Sequence, residues 1–201
     1  MLSLILKCCE YVFPEREDHK LVRFATADDV LRLLNPTDAR DFVFLLDFKE
    51  PLVRALVHEA KFKANQKAWD LLALALRQYL KHQPGGSVLI PVPLSTERQW
   101  HRGYNQIYEV AKRAISELPH LTLDNSTLRR QKNTAPQTTL SRKERLKNVK
   151  DAFVVVNAKA LMDARVIIID DVATTGATLK ATKDALIKHS PKSITLLSLA
   201  H

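Results

Sequence analysis

The sequence predicts an α/β fold built on a mostly parallel, doubly wound sheet. Three observations predict it. Val166-Ile167-Ile168-Ile169 is a run of branched apolar residues, the mark of a strand buried on both faces of a parallel sheet. Residues 87–94 and 193–199 are two further runs of this kind. Stripes of apolar residues at helical spacing lie between them, so strands and helices alternate along the chain.

The elements follow in order. Thr26-Ala27-Asp28-Asp29 starts a helix that Asn35-Pro36 stops. Residues 43–48 are apolar and fit either a short strand or a buried turn. Residues 50–82 read as two helices. Pro51 suits a first turn, with Leu52, Val53, Leu56, Val57 and Ala60 on one side. Residues 61–65 break the pattern, and Trp69, Leu72, Leu76, Tyr79 and Leu80 resume it. Lys61 and Lys63, within the break, are read as solvated ahead of any substrate role. Pro84-Gly85-Gly86 is a turn, and Pro91 and Pro93 close the strand that follows it. Ile107, Val110, Ala111, Ala114, Ile115 and Leu118 form one helical face. One strand enters the stretch 128–156 and another, residues 152–156, leaves it. A helix with Leu179, Thr182 and Leu186 on one side begins at Ala177, and Ser190-Pro191 ends it. The run 193–199 is then expected to finish the sheet.

With 201 residues the chain suits one domain, or one domain and a small appendage. The division expected is an N-terminal segment, 1–48, and a domain, 49–201. Net charge is +9, which favours anionic partners. Between Leu128 and Lys150, eight Lys and Arg stand against one acid, Glu144, so most of the excess is local. Cys8 and Cys9 are adjacent, lack metal-ligand spacing and offer no disulfide framework, which fits a reducing cytoplasm. No apolar run approaches the roughly 20 residues that span a bilayer, so no membrane partner is expected.

Chemistry concentrates where the central strand ends. Asp170 and Asp171 close it, and Val172, Ala173, Thr174, Thr175, Gly176, Ala177 and Thr178 lead into a helix. Hydroxyls and open backbone N–H groups at a helix N-terminus suit a phosphate. The two aspartates accept hydrogen bonds, as a ribose diol or a magnesium shell requires. Strand alternation turns them to opposite faces, which predicts different jobs. The loop is neither a Walker A sequence nor G-x-G-x-x-G.

Four hydrophobics, two acids and Thr-Thr-Gly-x-Thr resemble the phosphoribosyl pyrophosphate (PRPP) signature of type I phosphoribosyltransferases. Ile90-Pro91-Val92-Pro93-Leu94 with Arg102-Gly103-Tyr104-Asn105-Gln106 is similar to the ComF group within that superfamily. The resemblance covers about residues 50–201. It implies a type I phosphoribosyltransferase-like fold in which residues 172–178 hold the 5-phosphate. Asp170 and Asp171 would contact the ribose, and indirectly a Mg2+ that arrives with PRPP. Pro93, Arg102, Asn105 and Gln106 would surround the pyrophosphate. Residues 128–150 would be the flexible basic hood that closes over the site, bringing cations such as Arg129 and Lys132. A basic stretch also fits nucleic acid. Ser141, with Glu144, is a candidate cap for a helical turn there.

One departure is plain. Many ComF-like proteins begin with a cysteine-rich zinc module, and this chain has no C-x-x-C, so no zinc is expected. The function implied is transfer of phosphoribosyl from PRPP to a small nucleobase-like acceptor in the cytoplasm. Asp170, Asp171 and Arg102 are the catalytic candidates. The alternative is a non-catalytic protein of DNA uptake that binds PRPP or nucleic acid. Neither a homodimer nor a monomer is favoured.

Overall fold

The structure, a computed structural model, describes residues 16–131 and 152–201. Two helices open it, α1 (Glu17–Phe24) and α2 (Ala27–Leu33). Thr26 caps α2 through a capping box with Asp29. Its hydroxyl accepts from the Asp29 N–H at 3.2 Å, and the Asp29 carboxylate accepts from the Thr26 N–H at 2.9 Å. A hairpin of β1 (Thr37–Ala39) and β2 (Phe42–Leu46) follows, so residues 42–46 are a strand and not a buried turn. The expected helix pair is α3 (Pro51–Phe62) and α4 (Gln66–Leu80). Their stripes are core: Val53, Leu56, Val57, Ala60, Trp69, Leu72, Leu76 and Leu80 are buried.

Next come β3 (Ser87–Pro91), α5 (Thr96–Arg102), α6 (Gln106–Ile115) and β4 (Leu121–Leu123). α5 is too short and too polar for apolar periodicity to announce it. Ser95 caps it and Gly103, at φ 78°, ends it in the left-handed conformation that glycine adopts without strain. β5 (Leu128–Arg130) and β6 (Phe153–Val155) pair antiparallel as the expected entering and leaving strands. Then follow β7 (Arg165–Val172), α7 (Ala177–Leu186) and β8 (Ser193–Ala200).

The main sheet has the order β1-β2-β8-β7-β3-β4, parallel throughout except for β1 at one edge. β8, expected to finish the sheet, instead lies inside it between β2 and β7. Residues before position 49 thus supply β2 to the sheet, and they supply Val22 and Val30 to its core.

β7 shows why its run is unbroken. Ile167 and Ile169 face the core shared with α3, α4 and α6. Val166 and Ile168 face the core under α7 and β6. Ile168 and Ile169 are fully buried, each contributing about 1.5–3 kcal/mol by leaving water.

The order also fixes where a ligand site belongs. From β3 the chain passes through α6 to β4 on one side. From β7 it passes through α7 to β8 on the other, across the opposite face. The carboxyl ends of β3 and β7 therefore diverge at a topological switch point, the place where open α/β sheets bind ligands.

Candidate functional site

A cleft of about 570 Å³ opens at that switch point. Asp170 and Asp171 lie in it, with Val172, Thr174 and Thr178 beside them and Pro93 and Gln106 across from them. Strand alternation separates the two acids. Asp171 follows Ile169 toward α3 and α6. Asp170 follows Ile168 toward β5 and the face that α7 covers.

Asp171 is buried and held by three groups. Lys61 Nζ lies 2.9 Å from its Oδ2, which also accepts from the Gln106 amide. Its Oδ1 accepts from the Val172 N–H at 2.6 Å. Burial pushes this carboxyl up, but Lys61, Gln106 and Val172 outweigh it and hold the pKa below the ordinary carboxylate value. Asp170 goes the other way. Burial first, then the negative charge of Asp171, raise it to about 7, against the pull of Lys61. Two adjacent acids of one strand thus have pKa values shifted in opposite directions.

Gln106 passes the network on, its amide oxygen accepting from Arg102 Nη1. The Arg102 guanidinium also lies over the Phe62 ring, 5.3 Å from its centroid. Tyr104 ties the same loop to the end of α3. Its hydroxyl donates to the Lys61 carbonyl at 3.1 Å and accepts from the Ala64 N–H at 3.0 Å. Asn105 does not line the cleft. It is buried, caps α6 through the Ile107 N–H at 3.2 Å and donates to the Val92 carbonyl at 3.1 Å.

The loop after β7 is braced from behind. The Ala173 N–H donates to Ser198 Oγ at 2.9 Å, and the Ala173 carbonyl accepts from His201 Nδ1 at 2.6 Å. Both polar backbone groups of Ala173 are thereby engaged, whereas Thr174 is exposed to the cleft. Gly176 has φ 68°, and a Cβ there would meet Phe42 Cδ1 at 2.9 Å. Phe42 in turn packs edge-on against the His201 ring, with centroids 5.3 Å apart. The close approach that glycine permits is therefore to Phe42. Thr175, Gly176 and Ala177 line a crevice of about 10 Å³ at the start of α7, room for about one water, which joins the cleft at Asp170, Val172, Thr174 and Thr178.

A cationic wall faces the acids. Arg54 and Lys61 come from α3, Arg98 and Arg102 from α5, and Arg130 from β5. Burial and the neighbouring Arg98 lower the Arg130 pKa, and Asp170 opposes them. Arg130, not Arg129, is turned to the site. β5 alternates buried, exposed, buried, and Arg129 is its exposed residue. Lys132, the Ser141 cap and nearly all of the stretch 128–150 lie outside the described residues, as do Cys8 and Cys9.

Sequence reasoning did not single out Arg54, His58 or Arg98, and it took Lys61 as solvated. Lys63 is exposed, but Lys61 is not, and the i, i+3 and i, i+4 spacing of Arg54, His58 and Lys61 was the available signal. His58 lines the cleft, with Nδ1 buried at 3.1 Å from Asp18 Oδ2, an ion-pair distance without hydrogen-bond alignment. Phe48, Val57 and Phe62 add apolar wall. Among the described residues no three His, Cys, Asp or Glu converge as a metal site requires.

The model of the family "Phosphoribosyl transferase domain" matches residues 105–201. Competence protein F of Haemophilus influenzae is 36% identical over 152 residues, 70% of this chain and 65% of that protein. DNA utilization protein YhgH of Escherichia coli strain K12 is 29% identical over 168 residues, 81% of this chain and 72% of that protein. The chain thus spans just under two thirds of the Haemophilus relative's length. A solved hypoxanthine phosphoribosyltransferase of Staphylococcus aureus aligns with 65% of this chain and 61% of its own at 17% identity and a TM-score of 0.39.

The parallel sheet, the acid-and-threonine loop at its switch point and the matched domain make this a type I phosphoribosyltransferase-like protein. Within that class it is similar to Competence protein F of Haemophilus influenzae and to DNA utilization protein YhgH of Escherichia coli.

Proposed function

We propose that the protein binds PRPP and transfers its phosphoribosyl group to a nucleobase-like acceptor, releasing pyrophosphate. One observation carries the reading. A threonine-rich helix N-terminus, two strand-end acids and a wall of cations share one cleft, and a phosphorylated pentose diphosphate needs all three. Thr174 and Thr178 receive the 5-phosphate. The acids face the ribose hydroxyls and stabilise positive charge that grows at the anomeric carbon. Arg98, Arg102 and Arg130 take the diphosphate. Magnesium arrives on the diphosphate as part of the substrate and neutralises charge there. The acceptor ring lies against Phe48, Val57 and Phe62. Its nitrogen forms the bond to the anomeric carbon as the carbon–oxygen bond breaks, and the electron pair leaves with the diphosphate. His58 Nε2 takes the acceptor proton. We assign the reaction to the cytoplasm, where phosphorylated sugars are made.

The test is calorimetric titration of PRPP with magnesium into wild type and Asp171→Asn, with pyrophosphate release followed over a panel of nucleobases. Micromolar binding to wild type, weakened at least about 100-fold in Asp171→Asn, together with release on one base, is the expected result. The names of the Haemophilus and Escherichia relatives favour a second reading, a pocket protein of DNA use without transfer chemistry. Binding with no release on any base selects it. No binding at all removes both.

A further inference from the structure

Lys61 is where the site departs from a carboxylate shell built to receive a metal. Both oxygens of Asp171 are engaged, Oδ1 by the Val172 N–H and Oδ2 by the Gln106 amide and the Lys61 ammonium at 2.9 Å. The ammonium stands against Asp171 Oδ2, where a divalent ion ligated by that carboxylate would have to sit. A small divalent ion demands near-octahedral oxygen coordination. Here it meets two carboxylates, one of them already paired with a cation.

Lys61 is not a chance visitor. Tyr104 clamps its carbonyl and the Ala64 N–H, so the end of α3 keeps its place against the Arg102-to-Gln106 loop. The Lys61 side chain is only 26% exposed, and that of Asp171 10%, so solvent screens the pair little. The described lining cations, Arg54, Lys61, Arg98, Arg102 and Arg130, also outnumber the two acids. A diphosphate therefore meets positive charge in the protein itself.

We propose that Lys61 is the resident cation of the site: it neutralises Asp171 in place of a divalent ion and allows a sugar diphosphate to bind without metal. The inference rests on the reading of the cleft as a PRPP site and adds which group balances its acids. The decisive experiment is calorimetric titration of PRPP into wild type, Lys61→Met and Lys61→Arg, each in excess magnesium and in EDTA. Melting curves show that the variants fold. Wild type is expected to lose less than about fivefold in affinity when magnesium is removed. Lys61→Met, which leaves Asp171 without its cation, is expected to lose roughly 30-fold or more, and magnesium restores much of it. Lys61→Arg retains most of the metal-free binding.

Wild type that binds only with magnesium overturns the inference and leaves the pocket reading standing. So does a folded Lys61→Met that binds in EDTA as wild type does. A wild type that binds in neither buffer defeats the pocket reading itself.

Discussion

The loop that follows β7 and the cationic wall opposite it were built in different ways. The loop is nine consecutive residues, Asp170 to Thr178, on one strand end and one helix start. The wall gathers Arg54, Lys61, Arg98, Arg102 and Arg130 from α3, α5 and β5, so its members lie up to 76 positions apart. Local chemistry is written contiguously, and a sequence displays it. A surface assembled across three elements is displayed only when each element's facing is known. The loop also depends on distant residues for its shape, since Phe42, Ser198 and His201 hold it from behind.

The comparison can be broken first at Gly176. Gly176→Val forces a left-handed backbone on a branched residue and drives Cβ into Phe42, and the backbone part alone costs roughly 1–2 kcal/mol. With the contact to Phe42 added, urea unfolding should show a loss of about 3 kcal/mol. A loss under about 0.5 kcal/mol would mean that the brace behind the loop is slack.

Next in size is the split between Arg130 and Arg129. Arg130→Ala should weaken PRPP binding by about 10- to 100-fold, and Arg129→Ala by less than about threefold, because only the first is turned to the cleft. Equal losses in calorimetry would show that β5 presents both cations.

The acids offer a sharper comparison through pH. Folding raises the Asp170 pKa to about 7, above its unfolded value. The folded chain therefore holds a proton that the unfolded chain has lost, and stability from this group falls as pH rises from about 4 through 7. Asp170→Asn removes that fall, so its melting temperature should gain on wild type by a few degrees between pH 5 and pH 8. Asp171, whose pKa is lowered, works in the opposite sense. Its contribution is present above the unfolded value and is lost on acidification. A flat difference between wild type and Asp170→Asn across that range would place Asp170 in water.

The smallest effect is at Tyr104. Tyr104→Phe removes the donor to the Lys61 carbonyl and leaves the Ala64 N–H unpaired, costing about 1 kcal/mol of stability in denaturant. If Lys61 depends on this clamp, the metal-free PRPP affinity falls with it. An unchanged affinity would show that α3 keeps its end without Tyr104.

The sequence by itself determined the strands, most of the helices and the chemical character of the loop. Residues buried on both faces must be apolar without alternation, as in residues 166–169. A loop that receives phosphate must be small, hydroxylic and open at its amides. Thr26, Asn35-Pro36 and Ser190-Pro191 marked helix ends because caps and breakers act within a few residues. Only the tertiary structure decided that β8 lies inside the sheet, that residues 42–46 pair with it, that Asn105 braces the loop from outside the cleft and that Lys61 meets Asp171. Strand order follows from which helices cover which face. The pairing of Lys61 with Asp171 spans 110 positions, and no local propensity carries it. The choice between Arg129 and Arg130 turned on register. Strand alternation makes one residue's shift the difference between solvent and site.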